Sequence, residues 1–358
     1  MLTSPVRVYS EFQPLEEMIV GRAYPAAAFN DIEDLELRGL LQRVMEETSE
    51  DCDRLSELLA SLGVRVRRPN LVLELSDGAG KLSKIDVQKW RFTYPNPPLW
   101  PRDLFLTYGN TVLSLYSRST SRWFESWSFH DIFRAYFSEG ANWLSAPPPI
   151  LDETKNSYGD YEGQAFLFHA AAMVRCGKDI FHTLPGAKHA NGRGTQLGLD
   201  WIRRQLGPEV RFNSVPLGGH LDGKIALIRP GLMVGWARKE DLPEKLRGWD
   251  YIPLQSKGEL PQDFIQMKGK RFYKQFVQRW LTEWVGSVEE TYFDVNIISV
   301  RENLVITNGP SPHLTNELNK RGVETIPFNF RHRYFWDGGL HCITLDVCRQ
   351  GPCEDYFS

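Results

Sequence analysis

A recurring order of strand, tight turn, strand, helix and strand constrains the fold of this chain more than any other feature. Residues 104–108 and 111–115 flank Gly109 and Asn110, a two-residue hairpin signal. Residues 171–175 and 179–182 repeat the hairpin around Cys176, Gly177 and Lys178, followed by a helix over 196–206 and a strand over 210–215. A third pair, 224–228 and 232–235, turns at 229–231. A fourth, 296–300 and 304–307, leads to a helix over 312–321 and a strand over 323–327. Near the start, a strand at 17–21, a helix over 32–61 periodic in Leu and Val, and a strand at 64–69 follow the same plan. Weakly similar units at this spacing imply repeats that share one core, so residues 1–358 read as one globular unit. The proline-rich stretches 94–98 and 146–149 read as loops inside it.

Composition narrows the function classes. The chain has 358 residues and a formal charge of −3, with no basic block, which argues against nucleic acid or an acidic membrane surface as a partner. No stretch approaches the roughly 18 apolar residues of a membrane span, and the start lacks a leader pattern. Five cysteines, an odd number, fit a reducing cytoplasm with free thiols. Cys52, Cys176, Cys348 and Cys353 read as ordinary buried or surface thiols, and no CxxC pair points to a metal. No cofactor and no metal are expected, and monomer and homodimer both stay open.

Three places carry possible chemistry. Cys342 follows Asp337-Gly338-Gly339-Leu340-His341 and enters an apolar strand. Glycines ahead of a reactive residue let the backbone approach a substrate. A thiol attacks as its thiolate, so a base or a cation must stand nearby. On local pattern alone, a buried cysteine beside a chance histidine fits equally well. His220 and Asp222, in Gly218-Gly219-His220-Leu221-Asp222-Gly223, place a proton-transfer group and a carboxylate two residues apart on an extended segment. Asp103 opens an apolar strand, where a solvated cap is the simpler reading and a buried anchor for a cation the sharper one.

Taken in order, these residues resemble the arginine-dependent amidinotransferases, the group that includes the glycine and inosamine-phosphate enzymes. The run Gly338-Gly339-Leu340-His341-Cys342-Ile343-Thr344-Leu345-Asp346-Val347 is similar to that family's cysteine segment. So are Pro101-Arg102-Asp103, Arg122-Trp123-Phe124-Glu125, Arg175-Cys176-Gly177-Lys178-Asp179 and His220-Leu221-Asp222, in the family's order across most of the chain. The resemblance implies a pentein α/β-propeller, five pseudo-symmetric ββαβ modules around a central active site. It also implies that Cys342 attacks the guanidinium carbon of L-arginine and releases ornithine. His220 would then move protons, while Asp103 and Asp222 hold the cation by charge-assisted hydrogen bonds. An amine in a specialised biosynthetic pathway would accept the amidino group.

The pattern departs from the family at several positions. His169 stands where relatives carry an aspartate, and Ala172 replaces a second polar position. His169 either substitutes as a hydrogen-bond partner or adds an acid–base group. Glu289 and Glu290 replace small hydroxyl residues and would favour a cationic acceptor, although a solvated acidic turn has the same composition. Arg238 and Lys239 lie where a base would meet the donor's α-carboxylate. Two alternatives share the motifs: a guanidine-modifying hydrolase of the deiminase type, with water as acceptor, and a non-catalytic pentein that only binds.

Overall fold

The terminal strands lie in one sheet, so the chain closes on itself as a ring. In the computed structural model, residues 4–30, 32–71, 96–117, 122–149, 165–185, 194–254 and 293–358 are described. The first module opens with β1 (Leu15–Val20), α1 (Leu35–Ser61) and β2 (Arg65–Arg67). The short helix α2 (Pro101–Leu104) leads into β3 (Phe105–Tyr108) and β4 (Thr111–Ser114), then α3 (His130–Ser138) and β5 (Asn142–Ser145). The third module is β6 (Met173–Cys176), β7 (Asp179–Thr183), α4 (Gln196–Leu206) and β8 (Arg211–Val215). The fourth is β9 (Ile225–Arg229), β10 (Leu232–Gly235), α5 (Glu244–Arg247) and β11 (Asp250–Pro253). The fifth is β12 (Ile298–Arg301), β13 (Leu304–Asn308), α6 (Pro312–Asn319) and β14 (Glu324–Phe328). Finally α7 (Arg333–Trp336) precedes β15 (Thr344–Arg349), which pairs antiparallel with β1 and completes the first module.

The described strands thus form five three-stranded sheets. In each, the first two strands pair antiparallel and the middle strand pairs parallel with the third. A parallel return needs a crossover, and a helix supplies it every time. Local sequence sets these helices. Asp34 accepts a hydrogen bond from the Leu37 amide at 2.9 Å and starts α1. The helix then buries Leu37, Leu41, Val44, Met45, Cys52, Leu55 and Leu59, one face at helical spacing. Thr195 caps α4 in the same way, and Gly207, at φ 84°, ends it.

Charged residues pack along the centre of the ring. Arg102, Arg175 and Arg349 all bond to the buried Asp346 carboxylate, at 2.7, 2.6 and 2.6 Å. Burial alone would push that carboxyl up, but the arginines, Arg175 foremost, hold it well below its ordinary value. Glu11 adds a two-pronged contact to Arg175 at 2.8 and 3.0 Å. Arg102, Arg175 and Asp346 come from three of the motifs that carry the family resemblance, so part of that signature is structural.

Three boundaries differ from the sequence reading. Asp103 does not open a strand as a solvated cap; it is buried inside α2 and paired with Arg122. Residues 170–172 form a short 3₁₀ turn, so the strand after His169 begins at Met173. Asn296 lies just ahead of β12 instead of within it, which frees its side chain from the sheet.

Candidate active site

Each module contributes one residue, and the fourth contributes two, from the segment that enters its inner strand. Asp103 precedes β3, His169 precedes β6, His220 and Asp222 precede β9, Asn296 precedes β12 and Cys342 precedes β15. Pseudo-symmetry therefore delivers residues far apart in sequence to one end of the ring.

Cys342 is buried, at 4% exposure. Its Sγ accepts a hydrogen bond from Asn296 Nδ2 at 3.0 Å and lies 3.9 Å from Asp222 Oδ2. The other end of the same amide, Asn296 Oδ1, accepts from the His341 and Cys342 backbone amides at 2.7 and 3.2 Å. One side chain thus fixes the loop and aims a donor at the sulfur, which stabilises negative charge there. The approach to this loop is bent: Asp337, at φ 51°, is the one non-glycine residue with positive φ among those described. Gly339 has no room for a side chain, since a Cβ would meet the amides of Asn296 and Asn308, both at 2.7 Å.

Asp222 and His220 face different partners, although the extended-segment reading placed them on one side. Asp222 Oδ2 binds His341 Nδ1 at 2.7 Å, and His341 Nε2 reaches Glu11 at 3.4 Å. Burial, the largest influence on His341, disfavours its charged form, and Arg102 adds to that. The hydrogen bonds to Asp222 and Glu11, with the Asp222 charge, outweigh both and raise its pKa above the ordinary imidazole value. His220 Nε2 instead meets His169 Nδ1 at 2.8 Å, and His169 Nε2 meets Ser117 Oγ at 2.8 Å. On its other side, His220 Nδ1 lies 3.8 Å from Asp103 Oδ1.

Asp103 shares Arg122 with Glu125. Arg122 donates to Glu125 at 2.6 and 3.1 Å and pairs with Asp103 through Nη1, and its guanidinium lies 5.3 Å from the centre of the Trp100 ring. Burial pushes the Glu125 carboxyl up to about 7, Asp103 adds to the rise, and Arg122 opposes it. Two carboxylates on one guanidinium leave the cluster short of positive charge. Among the described residues, the buried atoms Asp103 Oδ1 and Asp222 Oδ1 have no hydrogen-bond donor. That pair of open acceptors beside a thiol and an imidazole suits a planar cation rich in N–H groups.

Asp103, His169 and His220 also bring ligating atoms within 4.8 Å of one another. A metal there would have to displace the proton shared by the two imidazoles. Arg238 and Lys239 lie on the exposed turn before α5; Arg238 pairs with Asp241 at 2.8 Å and Lys239 donates to the Trp249 carbonyl at 3.1 Å. Glu289 and Glu290 fall outside the described residues.

The chain is 30% identical over 387 aligned residues to inosamine-phosphate amidinotransferase 1 of Streptomyces glaucescens, covering 99% of each protein. It belongs to the amidinotransferase family. A solved inosamine-phosphate amidinotransferase from Streptomyces griseus superposes on this amidinotransferase with a TM-score of 0.72 at 26% identity, covering 99% of this chain and all of that one. A dimethylarginine dimethylaminohydrolase superposes with a TM-score of 0.57 at 13% identity over 92% of this chain and 99% of that one, a likeness of fold alone. The fold is the pentein α/β-propeller, as its five ββαβ modules require. No family model matches the chain.

Within this amidinotransferase, sequence reasoning missed Asn296, Ser117, Arg122 with Glu125, and Asn308 as neighbours of the site. His341 appeared only as part of a motif. A signal existed for Arg122 and Glu125, three residues apart in a quoted motif. None existed for Asn296, which the sequence reading placed inside the strand 296–300.

Proposed function

We propose that this amidinotransferase takes its amidino group from L-arginine, holds it on Cys342 and passes it to a primary amine. The open, buried oxygens of Asp222, whose carboxylate lies beside the Cys342 thiol, and of Asp103, beside His220, carry this reading. In the free enzyme the thiol donates toward Asp222, and two negative charges that close disfavour each other. An arriving guanidinium satisfies the carboxylates and relieves the repulsion, so Cys342 gives its proton to His220 and the thiolate forms where its electrophile sits. The Cys342 thiolate adds to the guanidinium carbon, the bond from carbon to the ornithine nitrogen breaks, and His220 gives that nitrogen a proton. The amine then adds to the same carbon as His220 takes its proton, the carbon–sulfur bond breaks, and the thiolate returns.

The chain from Ser117 through His169 to His220 supports both proton transfers. With Ser117 accepting from His169 and His169 accepting from His220, His220 Nδ1 presents a lone pair, and the imidazolium formed when it takes a proton keeps its hydrogen bond to His169. Kinship with an inosamine-phosphate enzyme supports a place in specialised metabolism. The free cysteines support the reducing cytoplasm as its setting.

Incubation with L-arginine and a panel of primary amines tests this reading. Ornithine formed together with a new guanidine product is expected. Citrulline or ammonia formed without any acceptor would replace the transferase with a hydrolase. Cys342→Ala is expected to abolish both products, and unchanged turnover would remove Cys342 from the reaction.

A further inference from the structure

We propose that Asn308 is the residue through which this amidinotransferase selects an acceptor amine that carries a hydroxyl group. The inference rests on the transfer reading above. In the β12–β13 pair, Ile298 lies opposite Ile306. Carrying that antiparallel register two residues further sets Asn296 opposite Asn308. Strand alternation puts Asn308 on the same face as Leu304 and Ile306, which pack in the cluster that includes Leu340, Cys342 and Ile343. The two amides then meet over Gly339, three residues before the nucleophile, where a side chain would strike Asn296 Oδ1 and Asn308 Nδ2 alike.

These two amides differ in their bonding. Asn296 is committed at both ends, to the loop backbone and to the Cys342 sulfur. Asn308 is 3% exposed, and neither its Nδ2 nor its Oδ1 has a hydrogen-bond partner among the described residues. A buried amide with both ends open is destabilising, and an apolar side chain of similar volume would suit its strand face better. Such a residue persists where a ligand completes it.

The chemistry of the amide indicates what that ligand group is. An ammonium only donates and a carboxylate only accepts, whereas a hydroxyl does both through one atom. The donor's guanidinium has its acceptors in Asp103 and Asp222. Asn308 therefore falls to the second substrate, and a hydroxyl close to the reacting amine satisfies both of its ends.

Matched pairs of amines test this, 2-aminoethanol against propylamine and 3-aminopropanol against butylamine, with L-arginine as donor. The wild type is expected to favour the amino alcohol in kcat/KM by about 3–10-fold, the scale of one neutral hydrogen bond. In Asn308→Leu and Asn308→Ala that ratio falls to near one, and a ratio cancels any general loss of activity. Asn308→Leu is also expected to raise Tm by a few degrees, since it removes an unsatisfied buried amide. A wild type with no preference, or a preference that survives both substitutions, would overturn the proposal. A lowered Tm in Asn308→Leu would overturn it too, by making the amide a structural partner. If no transfer occurs at all, thermal shifts of Cys342→Ser with the same amines read the preference without chemistry, so failure of the transfer reading is seen separately.

Discussion

His169 Nδ1 lies 2.8 Å from His220 Nε2, so an imidazole backs another imidazole where the family pattern has a carboxylate. A carboxylate stabilises an imidazolium; a second neutral imidazole can accept or donate a proton but brings no charge. Among the described residues, Asp103 lies beside His220 Nδ1 and Ser117 beside His169 Nε2, with Arg122 and Glu125 behind Asp103. Restoring the carboxylate with His169→Asp is expected to move the acidic limb of the kcat/KM profile to higher pH. His220→Ala is expected to lower kcat by about 10²–10⁴, the usual scale of acid–base help. A profile unmoved by His169→Asp would detach His169 from proton transfer.

Asn296 serves the sulfur and the loop together. Its replacement by Ala removes the donor to Sγ and the acceptor for two backbone amides, which is expected to lower kcat by about 10²-fold, the scale of a lost oxyanion donor. Asn296→Asp is expected to be worse, because a carboxylate would face the thiolate. Rates of Cys342 alkylation by iodoacetamide give an independent reading, and both variants are expected to react more slowly.

The ionic network of Glu11, Arg102, Arg175, Asp346 and Arg349 is closed enough that removing one member strands a buried charge. Arg175→Met is expected to cost about 3–5 kcal/mol in urea denaturation. The double variant Arg175→Met with Asp346→Leu should recover part of that loss, because the orphaned carboxylate goes as well.

His341 ties stability to pH. Its pKa is raised in the folded state, so its contribution is fully present below the ordinary imidazole value and is lost as pH rises through the folded value. Glu11 acts in the opposite sense. Arg175, His341 and Arg102 hold it far below the carboxylate range against its burial, so its contribution is present at neutral pH and is lost only in acid. His341→Gln is therefore expected to flatten the decline in Tm between slightly acidic and alkaline pH while leaving the acid limb in place. An unchanged slope would remove the imidazolium from the His341–Asp222 pair.

Much of this architecture was legible in the sequence. Gly109 and Asn110 marked one hairpin, and alternation of strands with helices located most of the elements within a few residues. Cys342, His220, Asp222 and Asp103 stood out in the sequence through the order of motifs shared with the family; local pattern alone left Cys342 even with a buried thiol. Asn296 and Asn308 did not stand out, because one read as a strand residue and the other as the residue after a strand, and only register sets the two face to face. Asp103 was misread as a cap because its cation, Arg122, is nineteen residues away and only the fold brings it back. Ser117 became visible only through His169, which it meets across two modules.

Everything in the proposed chemistry passes through one covalent bond, so the most direct measurement is the intact mass of the protein quenched after mixing with L-arginine in the absence of an acceptor. The account predicts a gain of one amidino group, mapped by peptide analysis to Cys342, released by an added amine and absent in Cys342→Ser. Ornithine formed with no adduct on Cys342, or an adduct on another residue, would contradict it.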